Sequence, residues 1–169
     1  MKLPNFFSSY EIINKFDGLI LTPVLITIGT VKPFSNVHLM LLINLKTAEI
    51  VGHSVQYTTW KASNLVEFIK TQVDMHADDW QNNQTISFHA PKQTPFTTKQ
   101  FGAYLYSNRY GLSFYNRNQQ LSLILAVKNI FSKHVHPMTE ESGIKHVIES
   151  WNSVSAKIFL KCLENEKQS

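Results

Sequence analysis

The stretch VHLMLLIN, residues 37–44, constrains the chain more than any other. Only His38 and Asn44 interrupt a run of branched and long apolar side chains. A strand with one wet face alternates apolar and polar residues, whereas a near-continuous apolar run belongs to a strand covered on both faces. Turn residues bound it on each side, Lys32-Pro33-Phe34-Ser35-Asn36 before and Leu45-Lys46-Thr47 after. Beyond those turns lie two β-branched runs, PVLITIGTV (23–31) and AEIVGHSVQYT (48–58). Turns this short join only antiparallel neighbours, because parallel strands need a long crossover. The chain is therefore expected to build a three-stranded meander with VHLMLLIN in its middle and layers on both sides.

Helical spacing follows. Leu65, Phe68, Ile69 and Val73 share one face of a helix that Ser63 or Asn64 would cap. MHADDWQNNQ (75–84) reads as a polar loop, TISFHA (85–90) as a fourth strand, and TTKQFGAYLYSN (97–108) as a helix with Phe101, Tyr104 and Leu105 inward. GLSFYN (111–116) is a fifth strand. Two helices are predicted after it, over 121–135 and from about Glu140 to Leu163. This order gives an α/β fold with a mixed five-stranded sheet flanked by helices. A length of 169 residues suits one domain. Residues 1–19 read as an N-terminal extension, 20–135 as the core domain, and 136–169 as a C-terminal helix packed on it.

Composition narrows the class. With 43% hydrophobic and 17% charged residues, the chain is globular rather than disordered. Its single cysteine, Cys162, excludes an internal disulfide and a cysteine-based zinc site. The start lacks the pattern of a signal peptide, and the apolar segment 19–31 is short and broken by Pro23 and Gly29. A cytoplasmic protein with no membrane partner is the expectation.

Two longer stretches carry a family resemblance. In LLINLKTAEIVGHSV (41–55) a turn precedes Ile-Val-Gly. In ISFHAPKQTPFTTKQFGAYLYSNRYGLSF (86–114), His89, Phe96, Thr97, Thr98, Phe101, Leu105, Gly111 and Leu112 keep a recognisable register. Both resemble the catalytic core of retroviral integrases and insertion-sequence transposases, the second matching that family's His-Ser-Asp-x-Gly-x-x-Tyr-Thr-Ser-x-x-Phe segment. The resemblance covers roughly residues 20–135. It implies an RNase H-like fold, with the fourth strand joining the first in parallel, and cores of this family often dimerise.

The family cuts and joins DNA with two divalent metal ions held by Asp, Asp and Glu. Hard cations take oxygen ligands, and the metals activate the attacking oxygen and stabilise the leaving one. The resemblance implies that the first Asp belongs on the first strand, where Ile28-Gly29-Thr30 stands. The second belongs after the fourth strand, where Pro91 stands, and the third on the following helix, at Lys128. No Asp or Glu occurs between Asp79 and Glu140, so no small shift of alignment supplies the last two. The expectation is a core without catalytic residues, metal or cofactor: not an enzyme.

Other chemistry is weaker. Asp74, His76, Asp78 and Asp79 crowd one polar loop, which reads as a solvated cluster. His134 and His136 lack a spaced third ligand, and His89 at a strand end reads as a hydrogen-bonded structural residue. No glycine-rich phosphate loop or nucleophile elbow is present. The formal charge of +4 is unevenly spread. Lys92, Lys99, Arg109, Arg117, Lys128 and Lys133 all fall in the acid-free stretch, with Tyr104, Tyr106, Tyr110, Phe114 and Tyr115 among them. Cations interleaved with aromatic rings suit a phosphate backbone and its bases, so DNA or RNA is the expected partner. The alternative is a protein scaffold or assembly subunit, a homodimer included, with exposed Trp60, Trp80 or Trp151 anchoring the contact.

Overall fold

The computed structural model describes residues 18–28, 35–45, 47–80, 86–115, 122–133 and 143–155. Its strands are β1 (Gly18–Ile28), β2 (Ser35–Asn44), β3 (Ile50–Gln56), β4 (Ser87–Pro91) and β5 (Gly111–Tyr115). Between β3 and β4 lie α1 (Ala62–Met75) and the short α2 (Ala77–Trp80). The helix α3 (Lys99–Ser107) joins β4 to β5, α4 (Ser122–Lys133) follows, and α5 covers residues 143–155. The strands form one sheet in the order β3-β2-β1-β4-β5. β1, β2 and β3 make the antiparallel meander, while β4 joins β1 and β5 joins β4 in parallel. This is the mixed RNase H-like sheet expected.

β2 explains why two layers are needed. Leu39, Met40, Leu41, Leu42 and Ile43 are all 0% exposed. Val37, Leu39, Leu41 and Ile43 point to one side, where Val127 and Phe131 of α4 meet Ile144, Val147, Ile148 and Trp151 of α5. Met40 and Leu42 point to the other, against Leu65, Phe68 and Ile69 of α1 and Phe101 and Leu105 of α3. The period-2 geometry of a strand divides one apolar run between two cores. α5 is also tied to the sheet edge. Trp151 Nε1 donates to Ala48 O at 2.7 Å, and the Asn152 amide accepts from Ile50 N at 2.8 Å and donates to Ile50 O at 3.0 Å. That paired contact occupies edge groups of β3 that would otherwise invite another strand.

Several boundaries differ from expectation, three of them with a clear cause. β1 starts at Gly18 rather than Pro23, because Leu19 to Thr22 pair with β2. Pro23 is accommodated where β1 has left its β4 partner, and an open edge tolerates a missing N–H. α1 starts before Ser63, with Lys61 at the cap position and the Asn64 side chain accepting from Lys61 N at 3.4 Å. Part of the expected 75–84 loop is the helical turn α2, where the Trp80 ring stacks on His76 at 4.4 Å and His76 Nε2 donates to Val51 O at 2.8 Å. His134, His136, Cys162 and Arg117 lie outside the described residues, as does the extension before Gly18. No helix among the described residues is long and apolar enough to cross a membrane.

Candidate functional site

Three adjacent strands converge where β4 ends. β1 runs beside β4 as far as Ile20, opposite His89, and Thr22 lies two residues beyond that pair on β1, as Pro91 does on β4. On the other side of β4, Pro91 pairs with Tyr115 of β5. Thr22, Pro91 and Tyr115 thus form a row across the sheet. The Tyr115 hydroxyl reaches past β4 and donates to Leu21 O on β1 at 3.2 Å. Burial pushes the phenol well above its usual range, an effect partly offset by the neighbouring Thr22 hydroxyl, so it stays protonated. Thr22 is fully buried, and its own oxygen makes no hydrogen bond of good geometry.

Beside this row lies a cavity of about 320 Å³, with Pro23, His38, Trp60, Pro91, Tyr115 and Lys128 in its walls. The structure therefore brings together two of the three positions expected to replace metal ligands, Pro91 and Lys128. Ile28 is the exception. It pairs with Ser35 of β2, six residues beyond Thr22 on the same strand, which is roughly 20 Å along it. The expected position on β1 is corrected accordingly: because β1 starts at Gly18, the residue as far beyond the Ile20–His89 pair as Pro91 is Thr22, not Ile28. The sequence did hold a clue in LILT (19–22), an apolar β-run that the proline after it disguised.

The donor set decides what this site can hold. A divalent cation requires anionic oxygen ligands. A threonine hydroxyl, a protonated phenol, a proline and a lysine ammonium do not fit a pair of such ions. No Asp or Glu is among the described residues lining the cavity, and no three His, Cys, Asp or Glu side chains come together among the described residues. Asp74, Asp78 and Asp79 are exposed, and His76 is committed to Val51 and Trp80.

The basic residues divide by position. Lys92 follows Pro91 and is exposed, with its N–H donating to Tyr115 O at 2.9 Å. Lys99 is exposed at the start of α3, and Lys128 is half-buried on α4. Arg109 belongs elsewhere. It sits in the left-handed region, φ 59°, just before Gly111, which pairs with Ser87 at the opposite end of β4. Four strand steps, roughly 13 Å, separate that end from Pro91. The Lys133 side chain lies outside what is described.

The aromatic residues divide as well. Tyr104 and Tyr110 pack edge to face at 6.4 Å, whereas Tyr106 is 86% and Phe114 42% exposed. The tryptophans proposed as exposed anchors are mostly internal. Trp60 and Trp151 are buried, their indole N–H groups bonded to His38 O and Ala48 O, and Trp80 is half-buried against His76. His89 is structural: it is buried and hydrogen-bonded to the Ser113 hydroxyl, and burial lowers its pKa to about 4. A side chain at Gly18 would collide with its ring, which accounts for a glycine there.

No protein-family model matches this sequence, and no curated protein matches it. Solved structures do. The catalytic domain of the Mos1 mariner transposase is 11% identical and aligns over 94% of this chain and 84% of its own, with a TM-score of 0.64. The Mos1 paired end complex with Mg aligns at 7% identity over 95% of this chain and 58% of its own, TM-score 0.67. The HTLV-2 integrase catalytic core domain in complex with magnesium, in its dimeric form, aligns at 9% identity over 80% and 83%, TM-score 0.50. The fold of this chain is that of the RNase H-like core of transposases and integrases.

Proposed function

We propose that this chain is a non-catalytic core of the transposase and integrase type, and that the surface around its altered metal site binds nucleic-acid backbone. The observation that carries this reading is the row Thr22–Pro91–Tyr115 beside Lys128. Where the catalytic relatives need carboxylates and cations, this chain sets neutral side chains and one fixed positive charge. Lys128 supplies directly the charge that metals would supply to a phosphate. Lys92 extends it on the exposed side of the same strand end, and Lys99 opens the helix that follows. The solved Mos1 transposase structures include a paired end complex and a strand transfer complex, which favours DNA as the partner.

The test is a fluorescence-anisotropy titration of labelled single- and double-stranded DNA between about 50 and 200 mM salt, where counterion release makes phosphate binding steeply salt-dependent. Lys92→Ala combined with Lys128→Ala should weaken binding whatever the base sequence and flatten the salt slope by roughly one unit per lost contact. No binding by the unaltered chain at low salt, or equal slopes for the two proteins, refutes the proposal. The scaffold reading then takes its place, with Tyr106 and Phe114 of α3 and β5 as exposed anchors in place of the buried tryptophans.

A further inference from the structure

The two edges of the sheet are finished differently. At the β3 edge, Asn152 and Trp151 of α5 take up backbone groups of Ile50 and Ala48. β5, the other edge strand, has no strand beyond it among the described residues, and Ser113 and Phe114 are exposed. Its sequence, GLSFY, contains no charged residue and no proline, the side chains that usually guard an open edge.

The register of β5 on β4 fixes which backbone groups this edge offers. Gly111 N–H donates to Ile86 O at 2.8 Å, and Tyr115 O accepts from Lys92 N–H at 2.9 Å. Alternation along the strand then directs the N–H and C=O of Gly111, Ser113 and Tyr115 towards β4, and those of Leu112 and Phe114 outwards. A second β5 laid antiparallel about a two-fold axis at Ser113 sets Leu112 opposite Phe114 of the second copy, and Phe114 opposite its Leu112. Both members of each pair carry outward groups, so each pair exchanges two hydrogen bonds and no outward group is left over. The side chains match at the same register. Leu112 packs on the cluster of Phe101 and Leu105 of α3, and Phe114, two residues on, leaves the sheet on that same side, 42% exposed. The pairing sets each exposed Phe114 ring beside a leucine, a favourable cross-strand neighbour.

We propose that two copies of this chain pair through β5, antiparallel about Ser113, joining their five-stranded sheets into one. A two-fold interface must be complementary to itself, and β5 meets that condition in its outward backbone groups and its apolar side chains at one register. An edge of five residues, even with the exposed Tyr106 ring on that side of the sheet, buries less than the about 1,200 Å² of a stable interface. The dimer is therefore weak and forms with rising concentration. It does not rest on the nucleic-acid reading.

The test is sedimentation equilibrium of the unaltered chain from about 10 to 500 µM, without nucleic acid and at about 200 mM salt, which screens repulsion between chains of net charge +4. Amide hydrogen exchange is followed at the same concentrations. A monomer–dimer equilibrium is expected, with protection of the Leu112 and Phe114 amides rising as dimer forms. The Ser113 amide, directed towards β4, should be protected in the monomer already. Phe114→Lys leaves the bonds to β4 in place and sets a charge beside Leu112 of the second copy, so it should raise the dissociation constant at least about tenfold. A chain that stays monomeric throughout the range overturns the proposal. So does a dimer that forms without protecting the Leu112 and Phe114 amides, or one that Phe114→Lys leaves unchanged. If Phe114→Lys does not fold, the exchange pattern of the unaltered chain decides alone.

Discussion

The two halves of the sheet bury different chemistry. In the antiparallel half, the middle of β2 is an unbroken apolar run sealed by helices on both faces. In the parallel half, β4 and β5 each bring a polar group inside, His89 and the Tyr115 phenol, near Thr22, which is buried on the meander's β1. Buried apolar area stabilises without geometric conditions, whereas a buried polar group stabilises only when its partners are in place. The apolar run of β2 therefore stabilises the meander wherever it is covered. The end of the parallel half depends on such partners, the Tyr115 phenol bonded to Leu21 O among them.

That contrast can be tested by substitution. Leu41→Ala, in the middle of the meander, should cost about 2–5 kcal/mol, the range for emptying a fully buried leucine site. The measurement is the urea midpoint at unchanged slope. A cost below that of the polar substitutions that follow would break the contrast.

His89 gives the next largest effect, and its sign follows from linkage. Its pKa is about 4 in the folded chain against 6.5 for an unperturbed histidine, so between those values the unfolded chain binds a proton that the folded chain refuses. The contribution is fully present above pH 6.5 and is lost as the pH falls towards 4, with a total of up to about 3 kcal/mol. Urea unfolding of His89→Asn at a series of pH values should show a shallower fall over that window than the unaltered chain. Identical pH dependence would remove His89 from the polar half's accounts of stability.

Tyr115→Phe should have the smallest effect, about 0.5–1.5 kcal/mol, for one neutral hydrogen bond to Leu21 O. The ring still packs against the core, so thermal unfolding should remain cooperative. A loss as large as that of Leu41→Ala would mean that the phenol braces the sheet end far more than one bond allows.

The same contrast explains what was legible in the sequence. The meander was readable because VHLMLLIN admits only one kind of environment and short turns admit only one strand direction. The parallel pairing of β4 was reached through resemblance, since no local pattern specifies which strand a distant one joins. The first-strand register was missed because a proline normally marks a strand's beginning, and only the open edge beside Pro23 shows why it does not do so here. The tryptophans were misjudged for a related reason. A residue on a connection, such as Trp60, reads as exposed until the helix packed over it is known. Pro91 and Lys128 were grouped through the resemblance, and both line the cavity at this end of the sheet. Arg109 was grouped with them by sequence proximity, although α3 carries it to the far end of β4.

Paramagnetic broadening by Mn²⁺ tests most directly whether the end of β4 has ceased to be a metal site. The amide resonances of the ¹⁵N-labelled chain are followed as Mn²⁺ is added up to equimolar concentration. With no anionic oxygen in the row, broadening should be confined to exposed acids such as Asp78 and Asp79, and the Thr22, Lys92 and Tyr115 resonances should persist. Selective loss of those three resonances at or below one equivalent of Mn²⁺ would place a metal ion between β1 and β4 and contradict the non-catalytic reading.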